Sequence, residues 1–208
     1  MSNQPHWERV YQTKSVSQLS WHRAHLDTSL KLIQGATDND RARIIDVGAG
    51  ESTLVDDLLA RGYSDLTVLD LSQAALHIAQ QRLGESGRTA NWIAGDVLSV
   101  PLPEAHYDVW HDRAVFHFLN TPAERAAYVR QVHKTVKPGG SVIVATFGPE
   151  GPLKCSGLDV QRYDADALHS EFGSQFELTD HLTELHETPF GTTQQFVYCF
   201  CRHRPSAT

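Results

Sequence analysis

An apolar run, Ile44-Ile-Asp-Val47, ends in the glycine turn Gly48-Ala-Gly50, and a second run, Leu66-Thr-Val-Leu69, ends in Asp70. Short apolar runs bounded by turn signals read as strands buried on both faces, and such strands belong to parallel sheets. Only a residue without Cβ lets backbone press against a ligand, which accounts for Gly48 and Gly50. A carboxylate about 20 residues past the turn is placed to take the two hydroxyls of a ribose. The turn reads G-x-G-x-x-T through Thr53, so the third glycine of the dinucleotide fingerprint is missing.

The rest of the chain continues the alternation. Strands are expected at 43–47, 65–69, 90–94, 107–110 and 141–146. Helices between them show apolar positions at helical spacing, such as Leu54, Val55, Leu58 and Leu59. Thr121-Pro-Ala-Glu124 is a helix start, with a capping threonine, proline at the first position and glutamate at the third. Residues 147–163 form a Gly/Pro-rich loop, 164–172 a helix, and 176–185 with 193–200 a closing antiparallel pair. Such alternation argues for a doubly wound α/β sheet. One domain is expected over 1–208: a helical N-terminal segment (1–36), a core (37–146) and a closing region (147–208).

Composition narrows the partners. The chain has 208 residues, 40% hydrophobic and 21% charged, with no apolar run near the ~20 residues of a membrane span. No secretory signal is visible, so a cytoplasmic location is expected. A net charge of −7 argues against nucleic acid as a partner. Three cysteines make no disulfide framework, and the 12 histidines show no metal-ligand spacing, so no metal is expected.

Five segments in order, Asp46-Val-Gly-Ala-Gly50, Val68-Leu-Asp70, Gly95-Asp96-Val97, Tyr107-Asp108 and Lys137-Pro-Gly-Gly140, carry a resemblance to the class I methyltransferases that use S-adenosyl-L-methionine (SAM). It covers about residues 40–146. It implies a Rossmann-like, seven-stranded mixed sheet of order 3-2-1-4-5-7-6 with helices on both faces, and S-adenosyl-L-homocysteine (SAH) as product. By this resemblance Gly48, Ala49 and Gly50 lie beneath the methionine half of SAM, and Asp46 supports the turn or the amino group. Asp70 binds the ribose, Leu71 packs on adenine, and Asp96 with the Val97 N–H reads the adenine edge. His111 lies just past the fourth strand, nearest the methyl. Trp7, Tyr11 and Trp21 resemble the aromatic N-terminal flap of small methyltransferases, which suits a sulfonium because ring faces attract cations.

Acceptor chemistry is expected after the fourth strand. His111 and His117 are candidate bases, Asp112 an orienting group and Arg113 a holder of an anionic acceptor. His111→Ala is expected to lower turnover more than cofactor affinity. Cys155, Arg162 and Tyr163, in the loop after the fifth strand, are expected on the acceptor side. The Asp-Lys-Gly-Thr type signature of elongation-factor lysine methyltransferases is kept only at Asp112. The leading expectation is methyl transfer to a heteroatom of a small molecule, with a thiol or chalcogen in view. A protein lysine methyltransferase and a non-catalytic SAM sensor are the alternatives.

Overall fold

The computed structural model describes residues 3–205. Seven strands make one sheet: β1 (Arg43–Val47), β2 (Asp65–Asp70), β3 (Asn91–Ala94), β4 (Tyr107–Arg113), β5 (Val136–Phe147), β8 (Phe176–Glu187) and β9 (Thr193–His203). Their order is β3-β2-β1-β4-β5-β9-β8, with β9 antiparallel to β5 and β8. Numbered within the sheet this is 3-2-1-4-5-7-6, as the resemblance implies. A hairpin of β6 (Lys154–Cys155) and β7 (Leu158–Asp159) stands apart, inside the stretch expected to be loop.

Alternation along the central strands builds a core on each face. Ile44 packs with Leu30 and Ile33 of α2 (Asp27–Ala36) and with Leu54 and Leu58 of α3 (Leu54–Ala60). Ile45 and Val47 face the other way, onto Tyr128 and Val132 of α5 (Pro122–Thr135) and Leu168 of α6 (Ala165–Phe172). Helix α1 (Gln4–Thr13) lies on α4 (Gln73–Leu83), with Val10, Tyr11 and Ala75 between them. The capping box of α5 forms as expected: Glu124 N–H donates to Thr121 Oγ1, and Thr121 N–H donates to the Glu124 carboxylate.

Two strands run longer than expected. β4 continues through His111, Asp112 and Arg113, because β1 pairs with it to Asp112 and β5 to Arg113. Neighbours on both sides hold these polar residues extended against their own turn preference. β5 begins at Val136 and absorbs Pro138-Gly-Gly140, where a turn was expected. Its register to β4 jumps between the Tyr107 and Val109 pairs, and the extra residues form a bulge.

Candidate functional site

The site lies where β1, β2, β3 and β4 end. Gly48 and Gly50 adopt φ of +65° and +56°, a region that favours glycine. The N–H groups of Gly48 and Ala49 donate to the Leu69 carbonyl, so the turn folds back over β2. Asp70 locks the same turn: its Oδ2 accepts from Gly50 N–H and its Oδ1 from Ser72 N–H, both at 2.8 Å. Each oxygen keeps a lone pair for a ligand. Burial pushes the Asp70 carboxyl up to about 6, against the opposing pull of these N–H groups.

A large cavity opens over this turn, about 990 Å³ measured out to its mouth. Gly48, Asp70, Leu71, Asp96 and Val97 line it from the strand ends. Trp7, Tyr11 and Trp21 line it from the N-terminal segment, so all three expected flap residues meet here. Trp7 packs edge-on against Trp21 at 5.8 Å and Phe118 at 5.2 Å. Tyr11 reaches over the turn; a Cβ on Gly50 would stand 2.3 Å from its hydroxyl. Burial, with the nearby Asp70 and Glu51 carboxyls, keeps that hydroxyl protonated far above its usual range. Glu8 fastens the flap by accepting from Ser72 Oγ at 2.7 Å and Ala74 N–H at 3.3 Å, at the start of α4. Sequence reading missed Glu8, since nothing in its local pattern signals a partner 64 residues away.

A second, smaller cavity shares Gly48, Trp21 and Arg113 with the first, so the two meet there. Asp46, Ala49, Glu51, Arg23 and His111 line it. His111 Nδ1 and Asp46 Oδ1 are 2.7 Å apart, both side chains buried. His111 Nε2 and Glu51 Oε1 are buried without a hydrogen-bond partner among the described residues, a polar lining suited to a charged ligand.

Several expected site residues lie elsewhere. His111 sits within β4, not past it, and lines only the smaller cavity. Asp112 orients no histidine. Its carboxylate accepts from Tyr128 Oη at 2.5 Å and from the N–H groups of Val115 and Phe116, which ties the end of β4 to α5. Strand alternation sends it to the opposite face from Arg113. His117 is fully buried, and burial pushes it down to about 3, so it is a neutral core group. Arg162 binds the carbonyls of Pro149 and Gly151 and staples its own loop. Tyr163 packs on Phe116 in the core of the α5 face. Of the three acceptor-side candidates only Cys155 lines the large cavity, and burial pushes its thiol up to about 12.

Among the described residues no group of three His, Cys, Asp or Glu could hold a metal ion, and no helix is long and apolar enough to cross a membrane.

Comparison with known proteins gives the same region. A family described as a methyltransferase domain matches residues 44–140. Malonyl-[acyl-carrier protein] O-methyltransferase of Paenibacillus sp. (strain JDR-2) is 27% identical over 164 residues, 76% of this chain and 56% of that protein. EEF1A lysine methyltransferase 2 of Danio rerio is 22% identical over 160 residues, 70% of this chain and 69% of that one. The chain spans between about a fifth and just over half of the length of several curated relatives it matches. A solved chain described under "Conversion of a Disulfide Bond into a Thioacetal Group during Echinomycin Biosynthesis" superposes with a TM-score of 0.81 at 17% identity, covering 100% of this chain and 95% of its own. At that identity the likeness shows the fold.

Proposed function

We propose that this chain is a class I, Rossmann-like, SAM-dependent methyltransferase whose acceptor is a small molecule methylated at a heteroatom. One observation carries the proposal. The large cavity is walled on one side by the chain's own Trp7, Tyr11 and Trp21, with α1 fastened to α4 through Glu8, a lining that suits a small molecule better than a polypeptide.

The residues present fit SAM. Asp70 has the lone pairs for a ribose diol. At Gly48 and Gly50 the space a Cβ would take is held by Val115 and Tyr11, so the glycines let these two side chains close on the turn. Leu71, Asp96 and Val97 suit the adenine end of the large cavity. The smaller cavity suits the amino-acid end, with Asp46, Glu51 and His111 as its polar walls and Ala49 beside them. On this reading the methyl group belongs at the junction of the cavities, beside Gly48, Trp21 and Arg113. Bound SAM supplies an electrophilic methyl on a sulfonium.

The protein's own work is then alignment and exclusion of water. Trp7, Tyr11 and Trp21 wall the large cavity on one side and offer ring faces to a cation. Tyr11 and Cys155 stay protonated and remove no proton at neutral pH. His117 and Asp112 are spent on the core. This arrangement suits an acceptor that arrives with its nucleophilic lone pair free, as a thiolate or carboxylate does. The Asp46–His111 pair acts as a positioning unit for the cofactor's amino-acid end.

The test is transfer from methyl-labelled SAM into a low-molecular-mass metabolite pool and, separately, into a protein fraction. Label in the small-molecule pool is the expected result. Label confined to protein would establish the lysine-type reading instead. Tight SAM binding with transfer to neither would establish a sensor.

A further inference from the structure

Arg113 stands where the two cavities meet, with most of its contacts already made. Nε donates to Tyr198 Oη at 3.1 Å, and Nη1 donates to the Trp21 carbonyl at 3.2 Å. The guanidinium carbon lies 4.1 Å from the centre of the Phe196 ring. These contacts fix the plane of the group. The residue is 9% exposed, and its Nη2 finds no partner among the described residues.

Among the described residues no carboxylate is ion-paired with this cation; Asp46 and Glu51 line the smaller cavity with it without a hydrogen bond to it. Glu184 is reached only through Tyr198, and it already takes Arg23 and Thr28. Asp70, Asp96 and Glu124 line the large cavity, but none pairs with Arg113. The titratable groups that feel its charge are His117, His186, Cys155 and Tyr198. Burial holds each of them neutral. A guanidinium does not shed its proton, so a buried one without a counter-ion is costly unless a ligand supplies the charge.

His117, close enough to feel this charge, is packed in the core and lines neither cavity. His117 Nδ1 accepts from the Phe147 N–H at 3.3 Å, so the neutral ring carries its proton on Nε2. That N–H is also buried without a partner among the described residues.

We propose that Arg113 is a substrate-binding residue that takes an oxyanion of the methyl acceptor, which makes the acceptor a small carboxylate-bearing molecule. The proposal rests on the methyltransferase reading above. Both Arg23 and Arg113 line the smaller cavity, but Arg23 is ion-paired with Glu184, and Arg113 alone of the two also lines the larger cavity. A planar fork with two arms fixed and one free matches a carboxylate better than a neutral amide.

The test uses the full chain saturated with SAH and titrated in a calorimeter with benzoate and malonate, and with their neutral counterparts benzamide and malonamide. Saturable binding of at least one carboxylate, ten times tighter or more than its amide, is expected. Arg113→Met, at saturating SAH, should lose that preference, and Arg113→Lys should keep part of it. Carboxylates binding no better than amides to the wild-type complex would overturn the proposal, whether or not the variants fold. Loss of SAH affinity in Arg113→Met with the carboxylate preference kept would also overturn it, and would put the guanidinium on the cofactor's own carboxylate. Failure of the wild-type chain to bind SAH would instead bring down the reading beneath it.

Discussion

Asp70→Asn isolates the group proposed to hold the cofactor's ribose. Both Asp70 oxygens accept from backbone N–H groups at 2.8 Å, one from Gly50 and one from Ser72. An amide has one oxygen, so its nitrogen must face one of those N–H groups, donor against donor. A hydrogen bond to a charged group contributes about 1.5–3 kcal/mol. Losing one at the turn or at the ribose lowers SAH affinity by roughly ten- to a hundredfold. Stability moves the other way. A carboxyl raised from 3.8 to about 6 carries on the order of 3 kcal/mol of penalty as the anion at neutral pH. The sign follows from linkage: this group's stabilising contribution is fully present below about 3.8 and is lost as pH rises through about 6. Asparagine never ionises, so the unliganded variant should melt within a few degrees of wild type at pH 7. Calorimetry with SAH should show the affinity loss. In wild type, SAH affinity should fall about tenfold per pH unit below about 6, while the variant's stays flat. An Asp70→Asn protein that binds SAH within twofold of wild type, with the same pH profile, would refute the reasoning.

Gly48→Ala should destabilise by about 2–4 kcal/mol, since φ is +65° and the new Cβ would meet Val115 Cγ2 at 1.9 Å; Val115→Ala on top should restore only the part due to the clash, and full restoration in urea unfolding would contradict the strain argument. Glu8→Gln should raise the SAH dissociation rate about fivefold, read from tryptophan fluorescence, because the flap loses a charged acceptor at α4; an unchanged rate would mean that the flap does not gate the cavity. His111→Ala should weaken SAH binding about tenfold with a smaller change in kcat at saturating SAM; a kcat loss at unchanged affinity would return His111 to the role of proton acceptor. For His117, held down to about 3, stability is fully present above about 6.5 and is lost as pH falls toward 3. His117→Asn, which keeps an acceptor for Phe147 N–H, should flatten that acid-side slope in urea melts at pH 5, 6 and 7.

Sequence alone determined the alternating strands and singled out the residues of the proposed cofactor end. Buried parallel strands must be apolar on both faces, and glycine must stand wherever backbone crosses φ > 0 beneath a ligand. Those demands act on neighbouring residues, so Gly48, Gly50 and Asp70 were legible, while the strand order followed from the resemblance. The resemblance also brought out Trp7, Tyr11 and Trp21, of which Trp7 and Tyr11 share one face of α1. The acceptor end was not legible in this way. His111, Asp112, Arg113 and His117 are close in sequence, and their chemistry reads alike. The pleat of β4 and the packing beyond it sent one to Asp46, one to Tyr128, one to the junction of two cavities and one into the core. Which way a polar side chain points, and whether its partner is another residue or a ligand, depends on strands and helices distant in the chain. Only the folded arrangement leaves Arg113 buried with a free arm, because only there do Tyr198, Trp21 and Phe196 come together around it.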